Sequence, residues 1–157
     1  MIILAIDPGV ERLGIAILTK KDVTIACNMS DTIITDKGLS QKERIGLIFS
    51  KISKIYQKYR PSQIVLERIF FAKNAKSAIA VSQVQGAIYL LAYQMKLEIS
   101  EIAPNAIKSA VTGYGNADKK AIKKMIDLQL ILPKKKRLDD EYDAIACGYA
   151  YILTSRF

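Results

Sequence analysis

Four acidic residues stand where apolar stretches of the chain end or begin. Asp7 closes "IILAID", Glu67 closes "QIVLE", and Asp140 and Asp143 lead into "AIACGYAYIL". Asp140 and Asp143 are three apart, a spacing that on a helix puts both on one face with Cβ atoms about 5–6 Å from each other. Asp139 and Asp143, four apart, are equally compatible with one face, so spacing leaves the choice between Asp139 and Asp140 open. Taken singly, each acid has a modest explanation. Asp7 suits a turn before Pro8-Gly9, and the acids Asp139 to Glu141 suit a helix N-terminus, where the dipole contributes about 0.3–1 kcal/mol. Gathered in one place they make a different case. A buried lone carboxylate is costly, and neighbouring carboxylates raise one another's pKa. A hard divalent cation such as Mg²⁺ or Mn²⁺ relieves that conflict with oxygen ligands. Two such ions can clamp the attacking water and the leaving oxygen in phosphodiester hydrolysis.

The composition narrows the chemistry further. The 157 residues contain no histidine, which removes Ser-His and Cys-His catalysis and His-based zinc sites. Lys and Arg outnumber Asp and Glu 24 to 15, a formal charge of +9. Residues 104 to 137 carry nine Lys/Arg (Lys108, Lys119, Lys120, Lys123, Lys124, Lys134, Lys135, Lys136, Arg137) against Asp118 and Asp127, so 9 − 2 = +7 lies in that segment. Such a concentration favours a polyanion partner, nucleic acid before membrane. Cys27 and Cys147 sit in apolar surroundings and are expected as reduced thiols in a cytoplasmic protein. No apolar run approaches the roughly 18 residues of a membrane span. The length and an apolar share of 50% fit a single domain over residues 1–157.

The elements that must carry these acids are readable in outline. "IILAID" is a buried strand; "LGIAIL" (Leu13–Leu18) and "VTIACNMSDTIIT" (Val23–Thr35) continue an antiparallel meander through a "TKKD" connection. Ser40 with Glu43 forms a capping box for a helix whose apolar face runs from Ile45 to Tyr59 and which Pro61 ends. "QIVLE" is a further strand. A helix is expected from Asn74 to about Lys96, a strand at "LEISEIA", a helix from Pro104 to Gly113, and a lysine-rich helix from about Ala117 to Leu130. The last helix starts at Leu138 or Asp139. Strands followed by alternating strands and helices imply an α/β domain with a mixed sheet. The helix after Asn74 is rich in small residues (Ala75, Ser77, Ala78, Ala80, Ser82, Gly86, Ala87), compatible with packing on its own sheet or against another helix.

Four segments, "AIDPGVERLGIAIL", "IVLERIFFAKNAKSAIAVSQVQGA", "PNAIKSAVTGYGNADK" and "DDEYDAIACGYA", together resemble the RuvC-type Holliday junction resolvases, from about residue 2 to 153. The resemblance implies an RNase H-like fold: a five-stranded mixed β-sheet flanked by α-helices, working as a homodimer. It implies paired symmetric nicking of four-way DNA junctions in recombination and repair, leaving 5′-phosphates. It also implies Mg²⁺ or Mn²⁺, two ions per site, held by Asp7, Glu67, Asp140 and Asp143; the family spacing favours Asp140 over Asp139. Phe70 matches an aromatic that meets the junction, with Phe71 packing behind it. Lys108 and Lys119 match lysines near the cleavage site, with Lys120 beside them on the DNA-binding side. Lys134 to Arg137 would form a rim for DNA, the small-residue helix would be the dimer contact, and branch-migration proteins are a further candidate class of partner. The alternatives are an RNase H-like nuclease for other branched DNA or RNA–DNA hybrid, and a non-catalytic junction-binding protein. An actin-like ATPase also opens with a strand and D-x-G, but its second D-x-G could only be Asp36-Lys37-Gly38, too close to the first.

Overall fold

The computed structural model describes residues 1–69 and 75–155. Strands β1 (Ile2–Asp7), β2 (Arg12–Lys21) and β3 (Thr24–Ile34) form an antiparallel meander, followed by helix α1 (Gln41–Tyr59) and strand β4 (Gln63–Glu67). Helix α2 (Ala75–Met95), strand β5 (Glu98–Ile102) and helices α3 (Pro104–Thr112), α4 (Lys119–Gln129) and α5 (Asp139–Thr154) complete the order. The five strands make one sheet in the order β3-β2-β1-β4-β5. β1 pairs antiparallel with β2 but parallel with β4, and β4 pairs parallel with β5. The sheet is therefore mixed, as the sequence predicts.

Local signals set most of the boundaries. Ser40 and Glu43 exchange the two bonds of a capping box, satisfying backbone N–H groups that a helix start leaves bare. Arg60 takes the left-handed conformation at the end of α1, immediately before Pro61. Pro104 begins α3, and Gly113, at φ 78°, ends it. Asp118 caps α4 by accepting the Ala121 N–H at 2.8 Å, so that helix starts at Lys119 rather than near Ala117. One connection differs from expectation. Thr19 to Lys21 remain in the ladder, pairing with Ala26, Ile25 and Thr24, and the turn contracts to Asp22 and Val23. Asp22 supplies the positive φ (52°) that a tight turn asks for, a conformation Asp tolerates.

The sheet is covered on both sides, which is why β1 and β4 are apolar at nearly every position. Alternation along the strands divides the core. Leu4, Ile6, Leu13, Ile15, Ile64 and Leu66 face α1 and α2. Ile3, Ala5, Ala16, Leu18 and Val65 face the layer of α3, α4 and α5. The same period of two puts Asp7 and Glu67 on the second side, following Ala5 and Val65. In the parallel ladder Ile6 lies opposite Leu66, so the two acids emerge side by side from adjacent central strands.

Helix α5 comes close enough to meet them because glycines remove what would hold it off. A Cβ on Gly148 would stand 2.8 Å from both Ala5 Cβ and Leu18 Cδ1. A Cβ on Gly14, the residue paired with Asp7 across the ladder, would lie 1.9 Å from the Asp140 carbonyl oxygen. Among the described residues no helix is long and apolar enough to cross a membrane. Cys27 and Cys147 are buried free thiols, as expected.

Gly14→Ala therefore drives a methyl carbon against the Asp140 backbone at the α5 N-terminus. It should destabilise the protein by about 1–3 kcal/mol or more in urea unfolding. Gly46→Ala, at an exposed position of α1 with nothing within 4 Å of the added carbon, should instead stabilise by about 0.4–1 kcal/mol. Equal effects from both would mean that α5 does not depend on the gap at Gly14.

Candidate active site

At the C-terminal ends of β1 and β4, Asp7 and Glu67 form the floor of a cleft of about 400 Å³. Asp143 enters from α5, Lys108 from α3 and Lys119 from α4, while Ile107 and Ile122 supply apolar wall. A shallower hollow of about 220 Å³ shares Asp7 and Glu67 and extends toward Arg68 and Val81. The acids thus line a continuous furrow across the strand ends. Gln85, buried on α2, donates to the Glu67 carbonyl oxygen at 3.4 Å and ties the end of β4 to the opposite helical layer.

The electrostatics of the floor are those of a crowded acid pair. Burial pushes the Asp7 carboxyl up to about 7, and Glu67, Asp143 and Asp140 add repulsion against a partial offset from Lys119. Glu67 is likewise pushed up to about 7, first by burial and then by Asp143, with Lys119 and Lys108 opposing. Beneath them, burial and the charges of Glu67 and Asp7 hold the Cys147 thiol well above its ordinary value. It stays a neutral packing group there.

The acids of α5 are each met by a cation. Asp140 accepts Arg12 Nε at 2.8 Å and also Arg12 Nη2 on the same Oδ2. Asp143 Oδ2 accepts Lys119 Nζ at 2.7 Å, and that bond holds the Lys119 ammonium above its usual value. Asp139 is exposed and bonded to Lys123 Nζ at 2.6 Å, which lowers its pKa. The Asp139–Asp140 ambiguity left by spacing thus acquires a geometry: Asp140 joins the charges acting on Asp7, and Asp139 turns to α4. Asp140 is not part of the cleft wall itself.

The other expected residues divide. Lys108 and Lys119 are at the cleft, whereas Lys120 is exposed on α4 and absent from its lining. Phe70, Phe71 and Asn74 lie outside the described residues. The expected rim from Lys134 to Arg137 is not uniformly outward. Lys135 Nζ donates to the Ser30 carbonyl at 2.6 Å, and Arg137 Nε to Ser30 Oγ at 3.2 Å, so those two are turned to the protein. Lys134, Lys135 and Lys136 are all exposed, but only Lys135 of the three is bonded back to β3. Arg12, Lys123 and Gln85 were not singled out by the sequence. A cation next to a strand has no signature of its own until the helix it meets is in place.

Whether this arrangement suits a divalent cation turns on its donors. Among the described residues no three acids lie close enough together to make a ready-made metal cage. The donor set nevertheless fits a hard cation: all-oxygen, with two carboxyls on the floor held well above their ordinary range by burial and by neighbouring acids. Asp140 and Asp143 already hold cationic groups at that mouth.

Comparison with known proteins bears on the whole chain. The chain is 38% identical to the crossover junction endodeoxyribonuclease RuvC of Thermosipho melanesiensis over 157 residues, covering all of both chains. It is 37% identical to the protein of that name from Treponema denticola, covering 96% of this chain and 84% of the relative. Among solved structures, Thermus thermophilus RuvC in complex with Holliday junction substrate superposes with a TM-score of 0.90 at 25% identity, over 98% of this chain and 93% of that one. Sheet order, helical layers and the acids at the strand ends define an RNase H-like α/β protein. Within that class the chain belongs to the crossover junction endodeoxyribonuclease RuvC family, whose model matches residues 3–151.

The raised carboxyls give a signed pH dependence. Between the ordinary values of 3.8 and 4.5 and the folded values of about 7, the native state binds more protons at Asp7 and Glu67 than the unfolded chain. Their contribution is therefore most favourable at low pH and is lost as pH rises through about 7. Metal-free protein should lose more Tm between pH 5.5 and 8 than an Asp7→Asn variant, by at least about 2–4 °C. Mg²⁺ or Mn²⁺ should raise Tm more at pH 8 than at pH 5.5. Parallel pH curves for the two proteins would contradict the assignment of strain to this pair.

Proposed function

We propose that the protein is a metal-dependent endonuclease that resolves four-way DNA junctions by paired symmetric nicks, with Asp7, Glu67, Asp140 and Asp143 as the catalytic carboxylates. The observation that carries the reading is the pair Asp7 and Glu67, both pushed up to about 7 at the floor of a cleft walled by Lys108 and Lys119. Family membership and the solved complex of Thermus thermophilus RuvC with Holliday junction substrate supply the substrate class.

Asp7 and Glu67 would hold Mg²⁺ or Mn²⁺ with Asp143 and Asp140, two ions per site. The bound cations supply neutralisation of the acids and activation of an attacking water, the chemistry a phosphodiester needs. The chain's residues do the rest. Lys108 and Lys119 put positive charge on the wall facing the acids, where a scissile phosphate can approach despite them. Arg12 and Lys119 orient Asp140 and Asp143 through charge-assisted hydrogen bonds. Lys120, Lys124, Lys134 and Lys136, all exposed, extend the positive field along the backbone path. Phe70 is the proposed stacking residue at the junction.

A homodimer is part of the same reading. Ile79, Leu90 and Tyr93 are 60%, 54% and 83% exposed along α2, and Gly86 between them has nothing within 4 Å of an added Cβ. At offsets of seven, eleven and fourteen from Ile79 these positions form one outward stripe, which a second copy would cover. Such pairing would present two sites to opposed strands of one junction. In the cell the protein would act in the cytoplasm.

Asp7→Asn should reduce cleavage of a labelled four-way junction by about 10²-fold or more while leaving its binding in EDTA intact. Four-way, three-way, duplex and RNA–DNA hybrid substrates, each with and without Mg²⁺, separate the rival substrates. Paired symmetric nicks confined to the four-way junction and dependent on the metal are expected. Cleavage of hybrid in preference to junction, or undiminished nicking by Asp7→Asn, would refute the reading.

A further inference from the structure

Glu141 lies between the two proposed ligands of α5, yet it points elsewhere. It is only 4% exposed. Its Oε2 accepts Ser30 Oγ at 2.7 Å and faces Lys135 Nζ at 2.5 Å, and its Oε1 accepts the Leu138 N–H at 3.2 Å. Ser30, on β3, is itself bound twice more: its carbonyl oxygen takes Lys135 Nζ at 2.6 Å and its Oγ takes Arg137 Nε at 3.2 Å. One buried carboxylate thus joins the edge strand, the basic connection before α5 and the first turn of that helix.

A buried ion pair is weak as a source of stability, because desolvation offsets much of its attraction. Its useful property is a demand for one geometry. The helix start needs such a demand. Leu138 at the N-cap has no side-chain oxygen to offer, so Glu141 supplies the reciprocal bond of a capping box alone. Residues on a helix are about 100° apart, so an anchor at Glu141 on β3 fixes how far Asp140 and Asp143 are rotated toward the cleft. A roll of about 10° at a side-chain radius of about 5–6 Å moves a carboxylate by about 1 Å. Displacements of that size at a reacting centre can cost about 10²-fold.

We infer that Glu141, clamped by Ser30 and Lys135, is a positioning residue that sets the rotation of the first turn of α5 and so the placement of Asp140 and Asp143 for the metal. The inference rests on the proposed metal site. It also gives the basic connection two separate roles, since Lys135 and Arg137 serve the clamp while Lys134 and Lys136 are left for DNA.

The clamp is tested by Mn²⁺ binding to the DNA-free protein, followed by electron paramagnetic resonance, beside junction binding in EDTA and thermal unfolding. Glu141→Ala should weaken Mn²⁺ binding by about 10-fold or more, an effect of the size that loss of a group orienting a metal ligand produces. Ser30→Ala and Glu141→Gln should fall between it and the wild type. Junction affinity in EDTA should stay within about 2-fold of the wild type for all three, since the clamp touches no DNA-facing lysine. Ile52→Val, buried in the opposite layer, controls for lost stability and should keep wild-type Mn²⁺ affinity despite a lower Tm. If Glu141→Ala fails to fold, Ser30→Ala and Glu141→Gln decide the matter. Wild-type Mn²⁺ affinity in the clamp variants, or a loss matched by Ile52→Val, overturns the positioning role. No Mn²⁺ binding by the wild-type protein overturns instead the metal reading beneath it.

Discussion

Asp7 and Glu67 repel one another at the ends of two adjacent strands, and folding strips water from both. That repulsion is a cost the chain carries in order to keep a pair of carboxylates fixed on a rigid base. Rigidity comes from the parallel pairing of β1 and β4, buried on both sides by the residues that alternate with the acids. The approach of α5 comes from Gly148 over Ala5 and Gly14 under Asp140. A larger residue at either place would hold the helix, and its acids, away from the floor. The geometry of this cluster of acids is thus a packing result before it is an electrostatic one.

The strong positive charge of the protein then has two uses. Some cations are directed inward to manage the acids: Arg12 to Asp140, Lys119 to Asp143, Lys123 to Asp139 and Lys135 to Glu141. The three pairs other than Lys135–Glu141 are largely exposed and add little stability, about 0–1 kcal/mol each. Their effect is on local potential and side-chain direction. Other cations, Lys120, Lys124, Lys134 and Lys136 among them, stay in solvent where a polyanion can reach them. The acidic run Asp139 to Asp143 is divided in the same manner: Asp143 lines the cleft, Asp140 pairs with Arg12 of β2, Asp139 salt-bridges α4 and Glu141 anchors β3.

Much of this was legible in the sequence because it depends on local rules. The strand ends at Asp7 and Glu67 follow from short apolar runs closed by an acid. The capping box at Ser40 and the starts and stops at Pro104, Gly113 and Pro61 are chemical signals within a few residues. What stayed hidden depends on distant packing. Arg12 reaches Asp140 across 128 positions, Ser30 reaches Glu141 across 111, and no periodicity encodes such a pair. A row of four basic residues looks like one solvated patch until Lys135 and Arg137 are seen folded onto β3. The hairpin at Asp22 is shorter than its polarity suggests for a related reason: ladder bonds extend both strands into residues that read as a loop.

The central claim is that Asp7, Glu67, Asp140 and Asp143 share divalent cations. It is tested most directly by anomalous diffraction from crystals of the protein grown with Mn²⁺ and a non-cleavable four-way junction. Anomalous peaks are expected within coordination distance of these four carboxylates, with Arg12 and Lys119 withdrawn from Asp140 and Asp143. Manganese bound elsewhere, or a junction seated on the cleft while Asp140 keeps Arg12, Asp143 keeps Lys119 and none of the four acids holds an ion, would contradict that claim.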